Sequence, residues 1–272
     1  MKLSELGIAI LINGVGVSFL FLLGVRGILR LAGFAVLGSV PVVLLMFFAS
    51  AALQVTLLPL FVTLGLLLVG AVVIWGRFRP DLVLAYGAAT GIVLVAWLVN
   101  SRANPAQRVG EDAFLTVLQA VSRFQGGLMG DNPSRGFIYP MLLSLQTDLA
   151  FLSLLTPVIT ISLFVGSSVL AWRVIAGNGL ISKVLGLALG IGVVATSPIF
   201  LIMLGYHNSH MLLALSIAAI LEGYFRASVR GEISRPAIAL IATAALVGSL
   251  TRVEGGFYCL AALAPLIVES GR

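Results

Sequence analysis

An adjacent acidic pair, Glu111-Asp112, stands inside a long polar stretch (101–148) of a chain that is otherwise mostly apolar. A positioned carboxylate takes the proton of an attacking hydroxyl, an effect of roughly 10²–10⁴-fold. Asp112 is therefore the candidate base, with Glu111 as its substitute. Asp112 also opens an amphipathic run, where the helix macrodipole alone favours an acidic residue. Arg252 is the candidate phosphate clamp, because a guanidinium fork matches phosphate oxygens in a bidentate way. Glu254 is its neighbour, although residues two apart on a continuous helix do not face each other. His207 and His210 suit donation to a phosphate or to an acceptor group; as plain interfacial histidines they need no such role. Asp131 and Asp148 offer the hard oxygen ligands that a divalent cation prefers. No ligand spacing joins them to the acidic pair, so neither a metal nor a cofactor is expected.

The elements that must position these residues follow from composition. Of 272 residues, 60% are hydrophobic and 10% charged, and the mean hydropathy is +1.15. Soluble domains carry roughly 25% charged residues, so the solvent is lipid, where only helices or closed barrels satisfy the backbone. The apolar runs are long and lack period-2 alternation, which selects helices. The expected fold is all-α: a polytopic membrane bundle of about nine transmembrane helices with one large extracytoplasmic loop carrying juxtamembrane helices. The net charge of +6 is read as topology-setting arginine and lysine. No basic stripe with interleaved aromatics appears, so nucleic-acid binding is not expected. The single cysteine, Cys259, precludes an intrachain disulfide.

A first span begins near the amino terminus and runs through Val25. It is too long for a signal-peptide core and lacks a small-residue cleavage site after it. Further spans are expected over about 31–52, 53–75, 82–99, 149–172, 180–204 and 211–224. Two shorter runs, 236–250 and 257–268, flank Thr251–Gly256. About 15 residues rise only ~22 Å against a hydrocarbon core of ~30 Å. A hairpin is preferred there over one helix carrying Arg252 and Glu254 at depth, since an ionised pair at mid-bilayer is costly. Within 101–148, the run from Asp112 to Gln125 has the apolar spacing of an interfacial helix, or equally of a loop helix packed on protein.

Arginine and lysine fall in alternate connections: Arg26 and Arg30, Arg77 and Arg79, Arg173 and Lys183, then Arg226, Arg230 and Arg235. The positive-inside rule makes these cytoplasmic. The loop 101–148, the His207–His210 corner and the Arg252–Glu254 turn are then expected together on the extracytoplasmic side. Trp75, Trp97 and Trp172 stand at span ends, as aromatic belts do.

On these residues the chain resembles the GT-C class of membrane glycosyltransferases, which take sugar from a polyprenyl-phosphate carrier. The likeness rests on a large extracytoplasmic loop after a span, with Glu111-Asp112 early in it, and on a juxtamembrane helix. It also rests on a Tyr139-Pro140 lead-in to the next span and on Leu250-Thr251-Arg252-Val253-Glu254-Gly255. It covers about 82–268, so 1–81 is read as an N-terminal three-helix segment and 82–272 as the GT-C-like module. Three spans precede the module, and the chain stops at Arg272, before the further spans or soluble domain usual in the class; a fragment, a split protein and an inactive relative all fit that. The resemblance implies transfer of a hexosyl or pentosyl group from a polyprenyl-phosphate-sugar donor to a glycan, lipid or protein acceptor. The setting would be the plasma (inner) membrane of a cell envelope. Asp112 and Glu111 would be catalytic, and Arg252, Glu254, His207, His210 and Tyr139 would bind substrate. The competing readings are a transporter and a non-catalytic or O-antigen ligase- or polymerase-like membrane protein.

Overall fold

The computed structural model describes residues 3–77, 79–102, 138–145, 154–175, 209–230 and 234–270, with isolated positions between 181 and 196. Every regular element among them is a helix. They are α1 (Leu3–Leu22), α2 (Ile28–Gly33), α3 (Ala35–Leu53), α4 (Leu57–Trp75) and α5 (Pro80–Arg102), followed by α6 (Ile138–Leu143), α7 (Leu155–Ile175), α8 (His210–Arg230), α9 (Arg235–Thr251) and α10 (Val253–Ser270). Four of these are long and apolar enough to cross a membrane: α1 from Glu5, α3, α4, and α5 up to Val99. Shorter apolar helices cover Leu155–Ala171 and Arg235–Thr251. Most of the span expected over 180–204 and most of 101–148 lie outside the described residues.

The bundle is turned outward in the sense lipid requires. Leu45 and Phe48 on α3, Leu66, Leu67 and Ile74 on α4, and Leu84 on α5 are all exposed. Asn13, Ser18, Thr160 and Ser216 are buried, and each donates to, or pairs with, a backbone carbonyl or a neighbouring hydroxyl, Asn13 through its amide nitrogen. Between apolar helices in lipid, close packing replaces the hydrophobic drive. Small residues supply it where α1 meets α3: a Cβ at Gly16 would stand 1.7 Å from the Ala35 carbonyl oxygen, and one at Gly38 2.6 Å from that of Gly16.

Two element boundaries differ from the sequence expectation. The run expected to begin a span at Leu31 is broken at Phe34, whose backbone (φ −106, ψ 12) separates α2 from α3. Phe34 packs its ring against Gly166 of α7, where a Cβ would approach to 2.8 Å, and that contact holds the chain in the break. The next span starts at Leu57 rather than Leu53, because Gln54 closes α3 in the left-handed region (φ 56) and Thr56 is extended.

Contacts between helices fix which ends lie together. Asn13 donates to the Ala89 carbonyl at 3.4 Å, and the Ser18 and Tyr86 hydroxyls are 2.7 Å apart. Numbers rise on α1 as they fall on α5, so the two are antiparallel. Phe21 stacks edge-on against Trp75 at the end of α4. Pro236, at the start of α9, lies 3.2 Å from where a Cβ on Gly24 would be, and Arg30 Nε lies 2.6 Å from Glu222 Oε1 on α8. One end of the bundle thus gathers the α1–α2 turn, the α4–α5 turn and the α8–α9 turn. The opposite end receives Arg102, closing α5, together with the start of α8 and the end of α9. One buried apolar cluster runs through both segments flanking residue 81.

Candidate functional site at the α9–α10 break

Helix α9 stops at Thr251, and α10 starts at Val253; between them Arg252 alone is extended (φ −155, ψ 153). The polar stretch 251–256 is therefore not a loop but one non-helical residue, with Glu254 and both following glycines inside α10. Two packing features hold the break. Thr251 Oγ1 donates back to the Val247 carbonyl at 2.6 Å. A Cβ on Gly255 would come to 2.1 Å of the Gly248 carbonyl oxygen, so only glycine permits this approach of α10 to α9. Past the break α10 returns along its neighbours: the Tyr224 hydroxyl of α8 donates to the Ala262 carbonyl. The preferred hairpin matches this path, with a tighter turn than the sequence suggested.

The break also changes which side chains meet. Across an extended residue the i, i+2 pair is no longer splayed as on a helix. Arg252 donates from Nε to Glu254 Oε2 at 3.1 Å and from Nη2 to Oε1 at 3.3 Å, a fork-on-fork pair. The third guanidinium nitrogen, Nη1, is 3.4 Å from His210 Nδ1 at the start of α8. Arginine has no acceptor, so that contact is a hydrogen bond only when Nδ1 is unprotonated. The ring proton of a neutral His210 then sits on Nε2. The Arg252 side chain is 19% exposed and that of Glu254 58%: the cation is set into the bundle end and the carboxylate lies over it from outside. The hydrogen bonds from Arg252 hold the Glu254 carboxyl below its ordinary value. A backbone hydrogen bond and the charge of Arg252 act in the same direction.

Of the residues singled out in the sequence, the structure brings Arg252, Glu254 and His210 together. Tyr139 sits elsewhere: it is fully buried, and its hydroxyl pairs with that of Thr156 on α7, an anchor for α6 against the core. Asp112, Glu111 and His207 lie outside the described residues, as do Asp131 and Asp148. No group of three or more potential metal ligands gathers among the described residues.

Sequence reasoning passed over two buried carboxylates. Glu5, in the first turn of α1, is fully buried, at the end of the bundle where α5 finishes in Arg102. Glu222 is fully buried at the other end, with Arg226 one turn on nearly so and Arg30 in ion-pair contact. The available signal was the i, i+4 spacing of Glu222 and Arg226 inside an apolar run.

These features define an all-helical protein, with helices long and apolar enough to cross a membrane and a charged group toward each end of the bundle. No family model, curated protein or solved structure matches the chain.

Proposed function

We propose that this chain is a plasma-membrane glycosyltransferase that moves a sugar from a polyprenyl-phosphate carrier to an acceptor on the extracytoplasmic side. The observation that carries the reading is the Arg252–His210–Glu254 cluster, a guanidinium and an imidazole from different helices meeting at a helix break. It stands at the end of the bundle from which α5 leads into the acidic pair Glu111-Asp112. In this reading Asp112 takes the proton of the acceptor hydroxyl as its oxygen bonds to the anomeric carbon. The bond from that carbon to the phosphate oxygen breaks, and the departing phosphate is held by Arg252. His207 completes the polar corner, and the nine-span topology with a large outer loop supplies the enclosure. The reading also draws on the likeness to GT-C enzymes along 82–268.

The test is transfer from labelled polyprenyl-phosphate sugar in membranes containing wild type, Asp112→Asn or Arg252→Ala at matched expression. Both variants are expected to lose transfer by about 10²-fold or more. Equal activity in all three sinks the assignment.

A transporter reading has one observation in its favour, the fully buried Glu222 beside Arg30, since ionisable groups inside bundles mark transport paths. Arg30 belongs to the short α2 beside the α1–α2 turn, and Gly223, next to Glu222, lies against Ala237 and Ile241 in the first turns of α9, so the pair is level with the turn-bearing end, which favours the enzyme.

A further inference from the structure

We propose that Glu254 is a displaceable internal occupant of an oxyanion site centred on Arg252, and that an anionic phosphate ligand binds by expelling its carboxylate. The inference rests on the reading of Arg252 as a phosphate clamp and adds to it a role for Glu254 that is the reverse of substrate binding. A carboxylate engaging both Nε and Nη2 of a guanidinium presents two oxygens in the arrangement a phosphate would present. The site is thus formed, and filled, before any ligand arrives.

The asymmetry of the pair says which partner moves. Arg252 is fixed by its backbone, a single extended residue trapped between two helices whose approach is set by Gly248 and Gly255. It is also mostly covered, whereas Glu254 is mostly in solvent. Exposed ion pairs of this kind are weak, so a dianion with its own hydrogen bonds can replace the carboxylate. Once expelled, Glu254 remains in the first turn of α10, where a negative charge is favoured by the helix itself. His210 stays in place because it belongs to another helix, and its contact is to the nitrogen that Glu254 does not use.

The consequence is a substitution that improves binding. Calorimetric titration of the full chain in detergent, with farnesyl phosphate and separately with inorganic phosphate, compares wild type, Glu254→Gln, Glu254→Ala and Arg252→Gln. Removing the carboxylate by either route is expected to lower Kd by about two- to fivefold, the range an exposed ion pair spans, and Arg252→Gln to abolish binding. Tightening with both probes identifies the phosphate group alone as the ligand chemistry. Tightening with farnesyl phosphate only shows that a lipid-borne phosphate is required. If Arg252→Gln weakens binding while both Glu254 variants bind as wild type or worse, the displacement idea is overturned and the clamp stands. Unchanged binding in Arg252→Gln, or no binding by any form, overturns both.

Discussion

At the scale of single residues, the two ends of the bundle use charge in opposite ways. Arg30, Glu222 and Arg226 form a covered group in which two cations share the neighbourhood of one carboxylate. Breaking a buried pair by removing one partner leaves an uncompensated charge, at a cost on the order of 3–5 kcal/mol. Glu222→Leu leaves two such charges, whereas Arg30→Met leaves Glu222 with Arg226 one turn away. Glu222→Leu is therefore expected to lower the thermal midpoint in detergent more than Arg30→Met does, and the double variant to recover part of the loss. Equal effects of the two single changes would show that Arg226 does not sense Glu222. At the opposite end the Arg252–Glu254 pair is open to water and its signature is a titration. Because the folded pKa of Glu254 is lowered, its pairing is fully present above the ordinary carboxylate value, near 4.3. It is lost as pH falls through the lower folded value. Arg252→Gln is expected to move the Glu254 carboxyl ¹³C titration upward, read by subtraction of the Glu254→Gln spectrum.

At the scale of elements, the α9–α10 break rests on which glycines touch something. Gly255 has the Gly248 carbonyl where a Cβ would go, while Gly256, its neighbour, has open space. Gly255→Ala must push α10 from α9, and overpacking of this kind costs about 1–3 kcal/mol; the shift also carries Arg252 away from His210. Gly256→Ala is expected to be neutral or to stabilise α10 by about 0.5–1 kcal/mol, the helix preference of alanine over glycine. Thermal unfolding with phosphate titration separates the two: only Gly255→Ala should lose both stability and binding. This contrast was beyond the sequence. Its pattern marked Thr251–Gly256 as a polar interruption between apolar runs, which is the correct place. Whether the interruption is a loop or one extended residue depends on helix–helix approach, which local composition does not encode. For the same reason Arg252 and Glu254 were legible as residues to watch while their fork-on-fork contact was not. The apolar runs themselves were plain, since lipid-facing helices announce their length. The break at Phe34 was hidden because its cause, Gly166, lies far away in the chain. Glu222 was hidden because one charge in an apolar run looks the same whether it meets Arg30 or water.

At the scale of the whole molecule, the antiparallel contacts leave the arginine-bearing turns at one end and the His210–Arg252 cluster at the other. A bundle with that asymmetry has a preferred orientation, because arginines flanking short connections are retained on the cytoplasmic side. Arg26, Arg30, Arg77, Arg79, Arg226 and Arg235 flank three turns at their end, against Asp81 and Glu222 among the described residues. On the proposed reading the cluster end is expected to face outward, where the proposed donor would present its phosphate. The arrangement is tested by replacing Cys259 and placing single cysteines at Ser134, within the polar stretch 101–148 of the sequence, and Ser228, near the end of α8. An impermeant thiol reagent added to intact cells is expected to label position 134 and to reach position 228 only after the membrane is opened. The opposite pattern inverts the bundle and strands the phosphate site on the cytoplasmic face; labelling of both positions from outside means that the helices between them do not divide two compartments.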